Sequence, residues 1–188
     1  MRFITFITQI FAAMLIAGVY GALHDQISFT VSSEYFTEFK YHQFGFVDSP
    51  LPDRVKAAAI GFLASWWMGV PIGLFVGVFG FLHKPARLMF TRSIRAFGIV
   101  AVVALVVGIG GLVYGWLFAS HNLADYDGWF RPEGLAHPAH FLSVGHMHNF
   151  SYLGGVIGMV AGIISQFYQR VLPPKSEQTG AGNPQPVE

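Results

Sequence analysis

The sequence predicts an all-α integral membrane protein: a four-transmembrane-helix bundle with two outward-facing loops of about 30 residues carrying short helix or strand elements. Three observations predict it. Hydrophobic residues make up 53% of the chain and charged residues 11%, whereas a soluble domain carries about a quarter charged residues. The apolar residues gather into four stretches, each close to the roughly 20 residues that cross a bilayer core. Lysine and arginine crowd into one short connection, which orients the whole set.

The spans run from about 3 to 23, 57 to 82, 94 to 119 and 150 to 172, forming one bundle over residues 1–172. Only Thr5, Thr8 and Gln9 interrupt the first. Arg2, an apolar run and small residues at Gly21 and Ala22 also suit a cleaved signal peptide. The run exceeds the usual core of about 7–15 residues, and no Ala-x-Ala site follows it, which favours a retained span. The remaining spans keep the same orientation either way. The connection 83–93, with neighbouring Arg95, holds Lys84, Arg87 and Arg92 and no acid. Loop 24–56 sets Lys40, Arg54 and Lys56 against five acids, and loop 120–149 sets Arg131 against three. The positive-inside rule therefore places the short connection and both termini in the cytoplasm of a bacterial inner membrane, with the two long loops on the periplasmic face. The tail 173–188 has no apolar face to bury and reads as disordered.

Glycines recur four apart at Gly69, Gly73 and Gly77, at Gly111 and Gly115, and at Gly154, Gly158 and Gly162. Residues four apart share a helix face, so each series makes a groove for a close-packed backbone. The groove serves either the bundle itself or a partner, as a homo-oligomer or within a larger membrane complex beside the lipid bilayer. Pro71 predicts a kink in the second span. Tyr114, Trp116, Tyr126, Trp129 and Tyr152 fit an interfacial aromatic belt, whereas Trp66 and Trp67 sit deeper.

Seven of the eight histidines fall on the outer side: His24, His42, His121, His137, His140, His146 and His148, leaving His83 inside. They come from the end of span one, the end of span three and the start of span four, which lie at one membrane level. There is no cysteine, so a metal site must use His, Asp, Glu, Met or backbone oxygen. In the first loop, residues 26–32 alternate polar and apolar, the pattern of a short strand. Glu34, Glu38 and His42 then recur every four residues. On a helix capped by Ser32 or Ser33 they form one stripe with neighbours about 6 Å apart, close enough to chelate; on a strand each step is about 13 Å, too far for one ion.

In the second loop Pro138 can open a helix that continues into span four. His137, His140 and His148 then lie within one quadrant while His146 points away. Asp125, Asp127 and Glu133 read as solvated surface with Arg131 as partner. The candidate ligands are thus His148 and His140, with Glu34, Glu38, His42 or His121 completing a nitrogen/oxygen set suited to Zn, Cu or Fe. Haem is less favoured, because His24, His121 and His148 sit at the membrane edge. His148, Asn149 and Ser151 enter the bundle just before the Gly154-Gly155 face, where polar groups are expensive and tend to be functional or to join helices. The bland alternative is interfacial histidines bonded to backbone or carboxylates, since no standard zinc spacing is present.

Residues 33–40 (SEYFTEFK) and 148–155 (HNFSYLGG) resemble stretches of uncharacterised small bacterial four-span membrane proteins. The resemblance covers these two stretches and the span pattern, and it implies an inner-membrane placement without implying an activity, cofactor or site residue.

Two functions from different classes fit. One is a metalloprotein working at the outer face, in redox or hydrolytic catalysis or in metal handling. The other is a non-enzymatic accessory or assembly subunit, for which the histidines would be scattered in space. A transporter is disfavoured because spans two to four carry no charged residue in their interiors. No Walker loop, dinucleotide fingerprint or nucleophile elbow occurs, and a net charge of +1 without a basic aromatic patch gives no reason to expect nucleic acid.

Overall fold

A computed structural model describes residues 1–119 and 123–171. Among them the chain is all-helical and contains no strand. Four helices are long and apolar enough to cross a membrane: α1 (Arg2–Val31), α2 (Asp53–Leu82), α3 (Ala86–Ala119) and α4 (Pro138–Val171). The tail 173–188 and His121 lie outside the described residues.

The strand expected at residues 26–32 is instead the last two turns of α1. Its polar side chains find partners that a sequence pattern does not reveal. Ser28 Oγ and Thr30 Oγ1 donate back to the carbonyls of His24 and Gln26, at 3.2 and 2.8 Å. Arg54 at the start of α2 donates to the Gln26 carbonyl and to Thr30 Oγ1, at 3.0 and 2.8 Å. Alternation of polarity favours a strand only where one face meets an apolar core; here α2 supplies polar contacts, so the helix continues.

The bundle is apolar outside and small or polar inside. Phe11, Phe75, Val106 and Ile164 are exposed, while Gln9, His24, Asp25, Ser93 and Gln166 are buried. Solvent-facing hydrophobicity of this kind suits lipid, where cohesion comes from close packing and interhelical hydrogen bonds. All three glycine series are filled by the chain's own helices. A Cβ on Gly69 would lie 2.2 Å from the Met14 Cα and one on Gly73 2.8 Å from the Ile10 Cα, both on α1. On α3 a Gly115 Cβ would meet the Ser143 Cα of α4 at 2.7 Å, and on α4 a Gly158 Cβ would meet Val100 of α3 at 2.9 Å.

The turn before Pro71 tightens into a 3₁₀ segment at Trp66–Met68. Proline has no N–H for the carbonyl four residues back and its ring crowds it, which interrupts the regular ladder there. Trp66 and Trp67 lie exposed on the outer surface. Of the expected aromatic belt, Tyr114, Trp116 and Tyr152 are exposed, whereas Tyr126 is buried and bonds His146 Nε2 at 3.1 Å.

At the Arg2 end a polar latch joins α1, α3, α4 and the α2–α3 connection. Arg2 donates to the carbonyls of Phe81 and His83. Arg92 donates to His83 Nδ1 at 3.0 Å, so the other ring nitrogen carries the hydrogen and donates to Gln166 Oε1 at 2.7 Å. Gln166 Nε2 in turn donates to Ser93 Oγ at 3.1 Å. Burial pushes the His83 pKa down, the Gln166 bond opposes this, and the Arg92 charge adds to the lowering. The folded protein therefore resists a proton that the unfolded chain accepts. Stability is full above the unfolded imidazole pKa of about 6.5 and falls as pH drops below it. We expect thermal unfolding in detergent to show that acid-side loss, and the His83→Gln variant to flatten it.

Candidate metal centre

Three side chains converge where α1 and α4 cross near the end of the bundle opposite Arg2. His24 and Asp25 sit about two turns before the end of α1, and His148 sits about three turns into α4. One ligand atom from each lies within 4.8 Å of the others. Asp25 Oδ1 is 3.1 Å from His24 Nδ1 and 3.2 Å from His148 Nε2. The two imidazoles meet edge to face at 4.8 Å. His24 and Asp25 are buried and His148 nearly so.

The outer nitrogens decide the chemistry. His148 Nδ1 lies 2.9 Å from the Val144 carbonyl, which can only accept, so Nδ1 carries the hydrogen. In the neutral ring Nε2 is then a bare lone pair, and it points at a carboxylate oxygen. Two acceptors at 3.2 Å repel unless a cation or an extra proton lies between them. His24 has its second nitrogen on Ser151 Oγ at 3.0 Å, and Tyr20 donates to the same hydroxyl at 3.2 Å. Each imidazole is thus anchored by a backbone or hydroxyl oxygen on one side and presents its other nitrogen to Asp25. This is the outer-shell arrangement that orients histidine ligands at metal sites.

A neighbouring loop completes the walls. Ser32 Oγ accepts from the Tyr35 N–H at 3.3 Å, the expected cap. The chain then makes a π-helical turn, Phe36–Lys40, before one α-turn, Tyr41–Phe44. Single π-turns of this kind are frequent at functional sites. Tyr35 stacks on the His148 ring at 4.9 Å. Burial, with Asp25 nearby, raises the Tyr35 hydroxyl above its ordinary range. Lys40 is buried, donates to Gln43 Oε1 at 3.0 Å and lies over the Phe39 ring at 4.9 Å. Its burial pulls the ammonium pKa down, against the opposing pull of Asp25.

Of the residues singled out in the sequence, the structure brings His148 into the cluster and distributes the others. Glu34 accepts from the backbone N–H groups of Ala136 and His137, at 2.6 and 2.9 Å. It acts as a cap for α4, neutralising the positive end of that helix's dipole. Glu38 and His42 are exposed, and the π-turn between them breaks the four-residue register that would have aligned them. His140 is exposed and stacks on His137 at 5.4 Å. It shares a face with His148 but lies about 12 Å away along the axis. His146 is buried against Trp129 and Tyr126 on the other side of α4. His121 lies outside the described residues.

Sequence reasoning missed Asp25 as a ligand candidate and considered His24 only for haem. The adjacent pair His24-Asp25 at the end of a hydrophobic span was the available signal, because charge is rarely placed there without a partner.

The cluster opens onto a cavity of about 80 Å³ between the four helices. Its polar end is formed by His24, Asp25, His148, Lys40 and Ser151, and its body by alanines and other apolar side chains. No family model, curated protein or solved structure matches the chain.

Proposed function

We propose that this is an inner-membrane metalloprotein in which His24, Asp25 and His148 bind one transition metal near the periplasmic face. The observation that carries the reading is His148 Nε2 lying 3.2 Å from the Asp25 carboxylate in a buried pocket while its Nδ1 is held on the Val144 carbonyl. A divalent ion satisfies both donors at once and leaves the anchoring bonds to Val144 and Ser151 intact. Three protein ligands leave coordination positions open, as in catalytic rather than structural sites. Two histidines and one carboxylate favour Fe(II) or Zn(II). The pocket suits an ion with small ligands rather than haem. The chemistry that fits is metal-dependent redox or hydrolytic catalysis, with metal handling as the variant reading. The basic set Lys84, Arg87, Arg92 and Arg95 supports the orientation, with both termini cytoplasmic.

A non-enzymatic accessory subunit is the second reading. It is favoured if His148 is instead doubly protonated, for then Tyr20, Ser151, His24, Asp25 and His148 form a satisfied hydrogen-bond network without an ion. Such a subunit would need a docking surface other than the glycine grooves, which the bundle itself occupies.

Elemental analysis of the detergent-purified chain, alone and after anaerobic loading with Fe(II), Zn(II) or Cu(II), separates the two. One metal per chain in the wild type, absent from His148→Ala and retained in His140→Ala, supports the metal centre. No metal after any loading removes it and leaves the accessory subunit.

A further inference from the structure

We infer that the ligand reaching the open position of this metal is a neutral diatomic molecule, dioxygen or nitric oxide, which enters from the lipid through the apolar cavity; the inference rests on the metal reading above.

Size is the first argument. The cavity measures about 80 Å³, whereas an apolar protein cavity of about 150 Å³ admits benzene and one water needs about 10–15 Å³. Room exists for a few diatomic molecules. Polarity is the second. Away from the His24–Asp25–His148 end, the walls include Ala13, Ala17, Ala64, Ala101, Ala104 and Phe97. An ion or strongly hydrated substrate entering there would lose its water without compensation. A small apolar gas loses little and is more soluble in hydrocarbon than in water. Position is the third. The lining reaches Tyr152, which is 48% exposed on the lateral surface of α4 among Leu153, Val156 and Ile157, all exposed. The cavity therefore connects the cluster with the surface that faces lipid. Lys40 lines the polar end of the cavity.

The test uses the full chain in detergent, loaded anaerobically with Fe(II), and nitric oxide as the probe. Iron is first counted by elemental analysis. Addition of nitric oxide is then expected to give the S = 3/2 electron paramagnetic resonance signal of a non-haem iron nitrosyl. Ala101→Leu on α3 and Ala64→Leu on α2 each add bulk to the cavity from a lining residue that is not one of the three ligands. Each is expected to keep one iron per chain while slowing nitrosyl formation by about ten-fold or more, equivalent to about 1.4 kcal/mol of barrier. Gly110→Ala, where the added methyl meets nothing within 4 Å, should form the nitrosyl at the wild-type rate. One iron per chain with no nitrosyl, or nitrosyl formation unslowed in both leucine variants, overturns the diatomic ligand and leaves the metal centre standing. Stoichiometric zinc without iron also overturns it. Failure to load any metal overturns both readings.

Discussion

Replacing Asp25 by asparagine is expected to lower the affinity of the proposed site for a divalent metal by roughly 100-fold or more while the bundle stays folded. Loss of an outer-shell partner alone lowers metal affinity about 10–100-fold, and Asp25 is the shared, charged donor between the two imidazoles. Asparagine keeps the shape and one carbonyl oxygen, so a hydrogen bond to one imidazole survives and the packing of α1 on α4 changes little. What it removes is the negative charge that offsets a divalent ion in a buried pocket. Titration of the loaded ion against a competing chelator reads the affinity, and circular dichroism with size-exclusion chromatography verifies the fold. Equal affinities for wild type and Asp25→Asn would show that the carboxylate is no ligand and that its contacts with His24 and His148 are purely protonic. The isosteric variant is informative for this reason: Asp25→Ala would open a hole as well as remove a ligand.

Gly61→Ala should destabilise the protein by about 3 kcal/mol. The helices α1 and α2 cross with backbone against backbone at this point. A Cβ on Gly61 would lie 2.2 Å from the Gly21 carbonyl oxygen, and one on Gly21 2.1 Å from that of Gly61. Neither obstacle is the end of a flexible side chain, so the added methyl can be accommodated only if the helices part. In lipid this close approach is a principal source of cohesion, since helices gain no hydrophobic benefit from meeting. The same Cβ would stand 2.9 Å from the Asp25 carboxyl carbon, so parting the helices also displaces the proposed ligand. Loss of stability in detergent unfolding should therefore be accompanied by weaker metal retention. Gly110→Ala serves again as the reference and should leave both unchanged. A Gly61→Ala protein as stable as wild type would mean that the two backbones are not in contact.

The separation between what local sequence reveals and what the fold decides is visible at particular residues. Hydropathy is a property of consecutive residues, and a helix satisfies its own backbone, so four long apolar segments suffice to place four helices. Pro138 marks the start of α4 for an equally local reason, the absence of an N–H where none is required. His148 was legible as a residue that meets another helix, because a polar group beside the Gly154-Gly155 face needs a partner there. The identity of that partner was not legible. Asp25 and Ser151 approach the two histidines across 123 and 127 residues, and no periodicity relates positions that far apart. The stripe of Glu34, Glu38 and His42 was sound as geometry on a regular α-helix. The π-turn at Phe36–Lys40 alters the register, and Glu34 is drawn instead to the free N–H groups at the start of α4. By itself the sequence determined the number of helices and their order, because these follow from local hydrophobicity and helix-terminus chemistry. Only the tertiary structure decided which polar groups meet, because that depends on how the small-residue faces of α1, α2, α3 and α4 dock and rotate against one another.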